Sequence, residues 1–74
     1  DPELLAERRE QQRLVYAAMQ QLSDEHREVI ALRDYLDLSY AEIAAVLDVA
    51  PGTVMSRLHR SRMALRTELE SGND

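Results

Sequence analysis

The chain is expected to fold as a small all-α domain of four helices containing a helix-turn-helix. Apolar residues recur three and four positions apart along most of its length, and no stretch alternates apolar with polar side chains for long enough to make a strand. Pro51-Gly52 is the only internal pair of strong breakers, and two other segments open with side chains that cap helices. With 74 residues, 45% of them apolar and 31% charged, the chain has material for one hydrophobic core and not for two.

The first helix is placed at residues 3–21. Pro2 suits a helix start, and Leu14, Val15, Ala18, Met19 and Leu22 recur at helical spacing toward the other end. The stretch from Glu7 to Arg13 is almost wholly charged or amide and reads as a solvated helical face, with a linker from a further domain as the competing reading. The chain opens on Asp1 rather than Met, so a domain of a longer protein is expected. Ser23, then Asp24 and Glu25, then Val29, Ile30, Leu32 and Leu36 make an N-cap, an acidic first turn and an amphipathic second helix that should end near Asp37.

Ser39-Tyr40-Ala41-Glu42 is a capping box, in which the serine hydroxyl accepts from an early helix N–H and the glutamate accepts from the serine's own N–H. The third helix carries Ile43, Ala44, Val46 and Leu47 before Asp48, a residue type that tolerates the left-handed backbone of a helix exit. Pro51 occupies the first position of the fourth helix, which runs to about Leu69 with Gly72 as terminator. Advancing 100° per residue from Val54 puts Leu58 at about 40°, Ser61 at about 340° and Leu65 at about 20°, one buried stripe. Gly52, Ser56, His59, Arg60 and Met63 face the other way.

Absent residue types remove whole classes of function. There is no cysteine, so disulfide frameworks and thiolate zinc sites are excluded, and His26 and His59 alone make no metal site. No Ser-His-acid arrangement and no Gly-rich phosphate loop is present, so no enzymatic activity, cofactor or small-molecule substrate is assigned. No apolar run approaches the roughly 20 residues of a membrane span, and no membrane partner is expected. The net charge of −5 is unevenly spread: residues 1–50 hold eleven acids and five arginines, 51–67 four arginines and no acid, and 68–74 three acids. All nine basic residues are Arg, which suits bidentate contacts to phosphate or carboxylate, although a GC-rich genome produces the same bias.

Two short helices joined by three or four residues, the second entered through Pro-Gly, match the helix-turn-helix. Ala44 is small where the helices must cross, Val49 plugs the turn, and Val54 anchors the second helix against Ile43 and Leu47. The outward face of the last helix carries Thr53, Ser56, Arg57, His59 and Arg60, a composition suited to phosphate attraction and base-edge hydrogen bonding in a major groove. Double-stranded DNA is therefore the predicted partner.

Three runs of sequence carry a family resemblance. Leu22-Ser-Asp-Glu-His-Arg-Glu-Val-Ile-Ala-Leu-Arg, Leu38-Ser-Tyr-Ala-Glu-Ile-Ala and Pro51-Gly-Thr-Val-Met-Ser-Arg-Leu-His-Arg-Ser-Arg-Met-Ala-Leu together resemble the C-terminal domain of extracytoplasmic-function (ECF) sigma factors, over roughly residues 20–69. The resemblance implies the domain called region 4, a winged-helix-like helix-turn-helix type, in a cytoplasmic bacterial protein. Such a domain reads the promoter minus-35 element while docked on the beta flap of RNA polymerase, and an anti-sigma factor is a further expected partner. It divides the chain into 1–12 as linker end or start of the first helix, 13–70 as the region 4 domain and 71–74 as a tail. Carried over by position, Ser56, His59 and Arg60, with Met55, are the base-reading candidates, facing bases or nearby phosphates, Arg60 being the candidate for bidentate guanine readout. Arg33, Tyr40, Gly52, Thr53 and Arg57 fall at positions that hold the DNA backbone. Two positions depart from the family pattern: Met55 stands where Lys or Arg is usual, and Asp48 where Gly often supplies the turn. Met55 removes one cationic contact, which should weaken DNA binding and lower its salt slope by about one.

Other readings stay open at this level. Arg57 has a second option, folding back onto an acid of the second helix. Arg62 and Arg66 flank the apolar stripe and read as ion-pair partners or solubilising residues, with Glu68 and Glu70 in reach of Arg66. Met19 fits the core, whereas Met63 points outward and suits a protein contact. A sigma-like domain acting mainly by binding an anti-sigma factor or other regulatory protein, docked on apolar surface of the first two helices, is the alternative function; a LuxR-like dimeric regulator is a third, requiring a self-complementary surface.

Overall fold

The structure is a computed structural model that describes residues 1–72. Helix α1 spans Pro2–Gln20, opened by the Asp1 carboxylate, which accepts from the Glu3 N–H at 3.0 Å. Helix α2, Asp24–Ile30, starts at Ser23, whose hydroxyl accepts from the His26 N–H. Helix α3 is Tyr40–Leu47, and helix α4 runs Pro51–Ser71 from a proline at its first position. No strand, and hence no wing, forms among the described residues. No helix among them is long and apolar enough to cross a membrane.

The second helix departs from the expected single α-helix to Asp37. After Ile30 the chain widens into a π-helical segment, Ala31–Tyr35, closed by the Leu36 N–H donating to the Ala31 carbonyl at 3.0 Å. Asp37 follows in the left-handed region at φ 56°, and the Leu38 N–H returns to the Leu32 carbonyl at 3.1 Å. A tertiary contact accompanies the change: Arg33 donates to the Leu38 carbonyl at 2.8 Å, tying the segment to the lead-in of α3. Over a single turn, apolar spacing cannot distinguish a 3.6-residue period from the wider π turn, so the sequence pattern carried no warning.

The other end differs less. Helix α4 continues to Ser71, within the expected tail, and Gly72 caps it at φ −74°, without using a glycine's left-handed freedom. Asn73 and Asp74, the rest of that tail, lie outside the described residues.

The core is built where the four helices meet. Met19, Leu22, Val29, Ile30, Ile43, Ala44, Val54 and Leu58 form one buried cluster, with Val15, Leu32, Leu38, Tyr40, Leu47, Val49, Ala64 and Leu65 packed around it. Helix α4 touches all three others and shares its most extensive interface with α2. Ser61 is wholly buried in the apolar stripe of α4, and its hydroxyl donates to the Arg57 carbonyl at 2.7 Å, so the polar group is satisfied inside the helix. Residues 1–13 are all exposed: the front of α1 is helical without tertiary cover.

Candidate nucleic-acid interface

The interface begins with what fixes α3 against α4. At the start of α3 the Ser39 N–H donates to Glu42 Oε1 at 2.9 Å while the Glu42 N–H donates to the Ser39 hydroxyl at 3.0 Å, the complete capping box. The bond from the Ser39 backbone holds the Glu42 carboxyl below its usual range. Asp48 ends the helix in the left-handed conformation, φ 57° and ψ 51°, and the Val49 N–H reaches back to the Ala44 carbonyl at 3.0 Å. That reversal sends the chain into α4 with Val49 packed on the core, and Ala44 is small enough for the helices to cross closely.

The face of α4 turned away from this core brings Met55, Ser56, His59 and Arg60 into one exposed patch. They are contiguous because residues three and four apart are neighbours on a helix: Met55 and Ser56 both adjoin His59, and Ser56 adjoins Arg60. The Ser56 hydroxyl is turned onto its own helix, 3.2 Å from the Thr53 carbonyl and 3.4 Å from that of Gly52, which directs its acceptor lone pairs outward. Gly52 is exposed at the head of the face, with right-handed backbone and nothing within 4 Å of where a Cβ would stand. The fold does not require a glycine there; the space it leaves is open to an approaching backbone or phosphate.

The arginines of α4 sort by their partners. Arg62 lies 2.6 Å from Asp34, and Arg66 3.1 Å from Glu70, as the sequence suggested for both. Arg57 is half-buried with its Nε 3.1 Å from Glu25 Oε1, the second of its two sequence options. Arg60 is the one arginine of α4 without an acid partner among the described residues.

The remaining candidates sit apart from this patch. Arg33 is half-buried, its guanidinium carbon 5.2 Å from the centre of the Tyr40 ring, and the pair occupies the N-terminal end of α3. Thr53 is half-buried in the first turn of α4, where its N–H donates to the Ala50 carbonyl at 2.9 Å. Sequence reasoning missed Arg27, which donates to the carbonyls of Met19 at 3.1 Å and Leu22 at 2.9 Å and so closes the C-terminal end of α1. A basic residue shortly after a helix end was the available signal, but which carbonyls it reaches depends on how α2 packs. Also unforeseen in shape is a groove of about 820 Å³ between α1 and the α2–π segment, lined by Arg8, Val15, Tyr16, Met19, Arg27 and Tyr35 among others. Tyr16 and Tyr35 are exposed on it and Met63 is exposed on α4, as expected for that methionine.

An exposed, acid-free helix face behind a capped helix and a tight turn is the arrangement by which helix-turn-helix domains enter a DNA groove. Comparison with known proteins places it among them: the family described as Sigma-70, region 4 matches residues 12–65, from within α1 to within α4. The chain belongs to this family. It is a transcription-initiation sigma-factor domain of the ECF type. Among curated relatives, region 4 here is 37% identical over 70 residues to the ECF RNA polymerase sigma-E factor of Escherichia coli, an alignment covering 95% of this chain and 37% of that protein. The Salmonella typhimurium protein of the same name gives the same figures. The ECF RNA polymerase sigma factor SigL of Mycobacterium tuberculosis is 49% identical over 57 residues, covering 77% of this chain and 32% of its own length. The chain thus spans about a third of the length of the relatives it matches.

Proposed function

We propose that this region 4 domain recognises the minus-35 element of a promoter by laying α4 in the major groove while docked on the beta flap of RNA polymerase, in the bacterial cytoplasm and with no catalytic role of its own. The observation that carries the reading is Arg60: among the described residues it is the arginine of α4 left without an acid, exposed, and flanked by Ser56 and His59 on the same face. Arg60 would take the O6 and N7 of a guanine, the contact its planar fork fits best. Ser56 and His59 would meet neighbouring base edges. Gly52 and Thr53 at the head of α4, and Arg33 with Tyr40 at the head of α3, would hold the sugar-phosphate backbone, where helix N-termini also attract anions. Because acids already neutralise three of the four α4 arginines, the domain supplies few sequence-blind contacts, and tethering to polymerase supplies much of the affinity.

The test is to reconstitute the complete sigma factor with core RNA polymerase and select active promoters from a pool randomised around minus 35. A single enriched motif that disappears when Ser56 and Arg60 are both changed to Ala is the expected result. Polymerase binding without any enriched motif would defeat the reading. A second reading, docking of an anti-sigma factor, is favoured by the groove between α1 and α2, where Tyr16 and Tyr35 lie exposed. It is compatible with the first, and its signature would be tight protein binding abolished by Tyr16→Ala and Tyr35→Ala with promoter selection intact.

A further inference from the structure

Met55 is a large apolar side chain left 59% exposed on the outward side of α4. Its exposed neighbours on that side are His59 one turn on, Ser56 beside it, and Pro51 and Gly52 one turn back. Nothing among the described residues covers it, and the buried stripe of α4 is made by Val54, Leu58 and Ser61, with Leu65 partly buried beside them, without it.

A major groove presents one apolar feature to such a side chain. The other distinguishing base-edge groups there donate or accept hydrogen bonds, and cytosine has only a C5–H where thymine carries a C5-methyl. A thioether donates nothing and accepts weakly, so against guanine or cytosine Met55 would strip water from polar groups and return no bond, while against thymine it buries methyl on methyl. Its three rotatable bonds let it reach that methyl from a fixed backbone. The approach is also unobstructed. Gly52 leaves open space beside it, and the Ser56 hydroxyl is folded back on the helix.

We infer that Met55 reads the C5-methyl of a thymine in the minus-35 element, turning what a cation would make a sequence-blind phosphate contact into a base-discriminating one. The inference rests on the DNA reading proposed above. Met55 precedes Arg60 by five residues, about 7.5 Å of helix rise, so the thymine lies within about two base pairs of the base Arg60 meets.

Uracil pairs as thymine does and lacks only the methyl. Holoenzyme carrying the complete sigma factor is assayed for binding to promoters in which each minus-35 thymine is replaced in turn by uracil. The expected result is a loss of about fourfold at one position, the worth of a single methyl withdrawn from water, and no loss there for Met55→Ala. That variant is expected to melt as the wild type does, because the side chain is exposed. Arg60→Ala should weaken binding and keep the thymine–uracil difference. A flat uracil scan, or an equal loss in Met55→Ala, overturns the inference while selection of a motif through Arg60 leaves the DNA reading standing. Absence of any minus-35 preference in the wild type overturns both.

Discussion

Arg57 on α4 and Glu25 on α2 face one another across the largest interface of the domain, Nε to Oε1 at 3.1 Å, with the buried N–H not aligned on the carboxylate. The contact is charge attraction without a well-made hydrogen bond. It therefore competes weakly with a phosphate, yet it cancels a positive charge on the element that would meet DNA.

Removing that competitor has a defined direction. Glu25→Gln should strengthen promoter binding by the holoenzyme and make its salt dependence steeper by about one phosphate equivalent, with a stability change of no more than about 1 kcal/mol, because Glu25 is largely exposed. Titrating binding against salt for both proteins checks it. Weaker binding in the variant would mean that Glu25 positions Arg57 instead of occupying it.

Gly52 separates folding from function. Since its backbone is right-handed and a Cβ meets nothing within 4 Å, Gly52→Ala should stabilise the domain, by about 0.5 kcal/mol from the loss of glycine's conformational freedom. If the open space receives a DNA backbone, the same variant should lose promoter binding. A melt and a binding titration on one protein decide between a gain in both and this opposed pair.

Ile43, wholly buried between α3 and the rest of the core, is the position at which truncation should hurt most. Ile43→Ala is expected to cost about 2–5 kcal/mol, enough to unfold much of so small a domain at physiological temperature. Ser61→Leu should cost about 1–3 kcal/mol by overfilling the α2–α4 contact. Urea unfolding followed by circular dichroism measures both.

The capping box gives a pH signature. Glu42 is held below its ordinary carboxyl value by the Ser39 backbone N–H, so its contribution is present above that value, 4.5, and is lost as pH falls through the lower value it has in the folded chain. Glu42→Gln keeps an acceptor at this position but has no charge to lose. The melting temperature of the wild type should therefore exceed that of Glu42→Gln at neutral pH, and the difference should shrink as pH is lowered below about 4.5. A difference independent of pH would assign the effect to packing.

How much of this was legible beforehand differs by residue. Local physics wrote the ends of the helices: Asp48 in the left-handed exit, the Ser39–Glu42 box, the Ser23 cap and Pro51 at the head of α4 all stand where short-range hydrogen bonding and backbone sterics put them. Helical periodicity sufficed for the stripe of Val54, Leu58 and Ser61, because burial on one side of a helix repeats every turn. The exposed patch of Ser56, His59 and Arg60 is the complement of that stripe and was equally readable, whereas Met55 was set beside it by the family resemblance.

Interactions between elements decided the rest. Whether Arg57 faced solvent or an acid depended on where α2 lay beside α4, a matter of packing that no wheel of one helix contains. The same holds for Arg27 on the carbonyls of α1, for Arg33 drawing the π-helical segment toward Leu38, and for the groove beside Tyr16 and Tyr35. Side chains that cap or bury within one element obey distances of three or four residues, whereas long arginines choose among partners that only the assembled core brings within reach. The sequence alone determined the helices and their inward faces; tertiary structure decided which positive charges remained for DNA, leaving Arg60 as the arginine of α4 without an acid among the described residues.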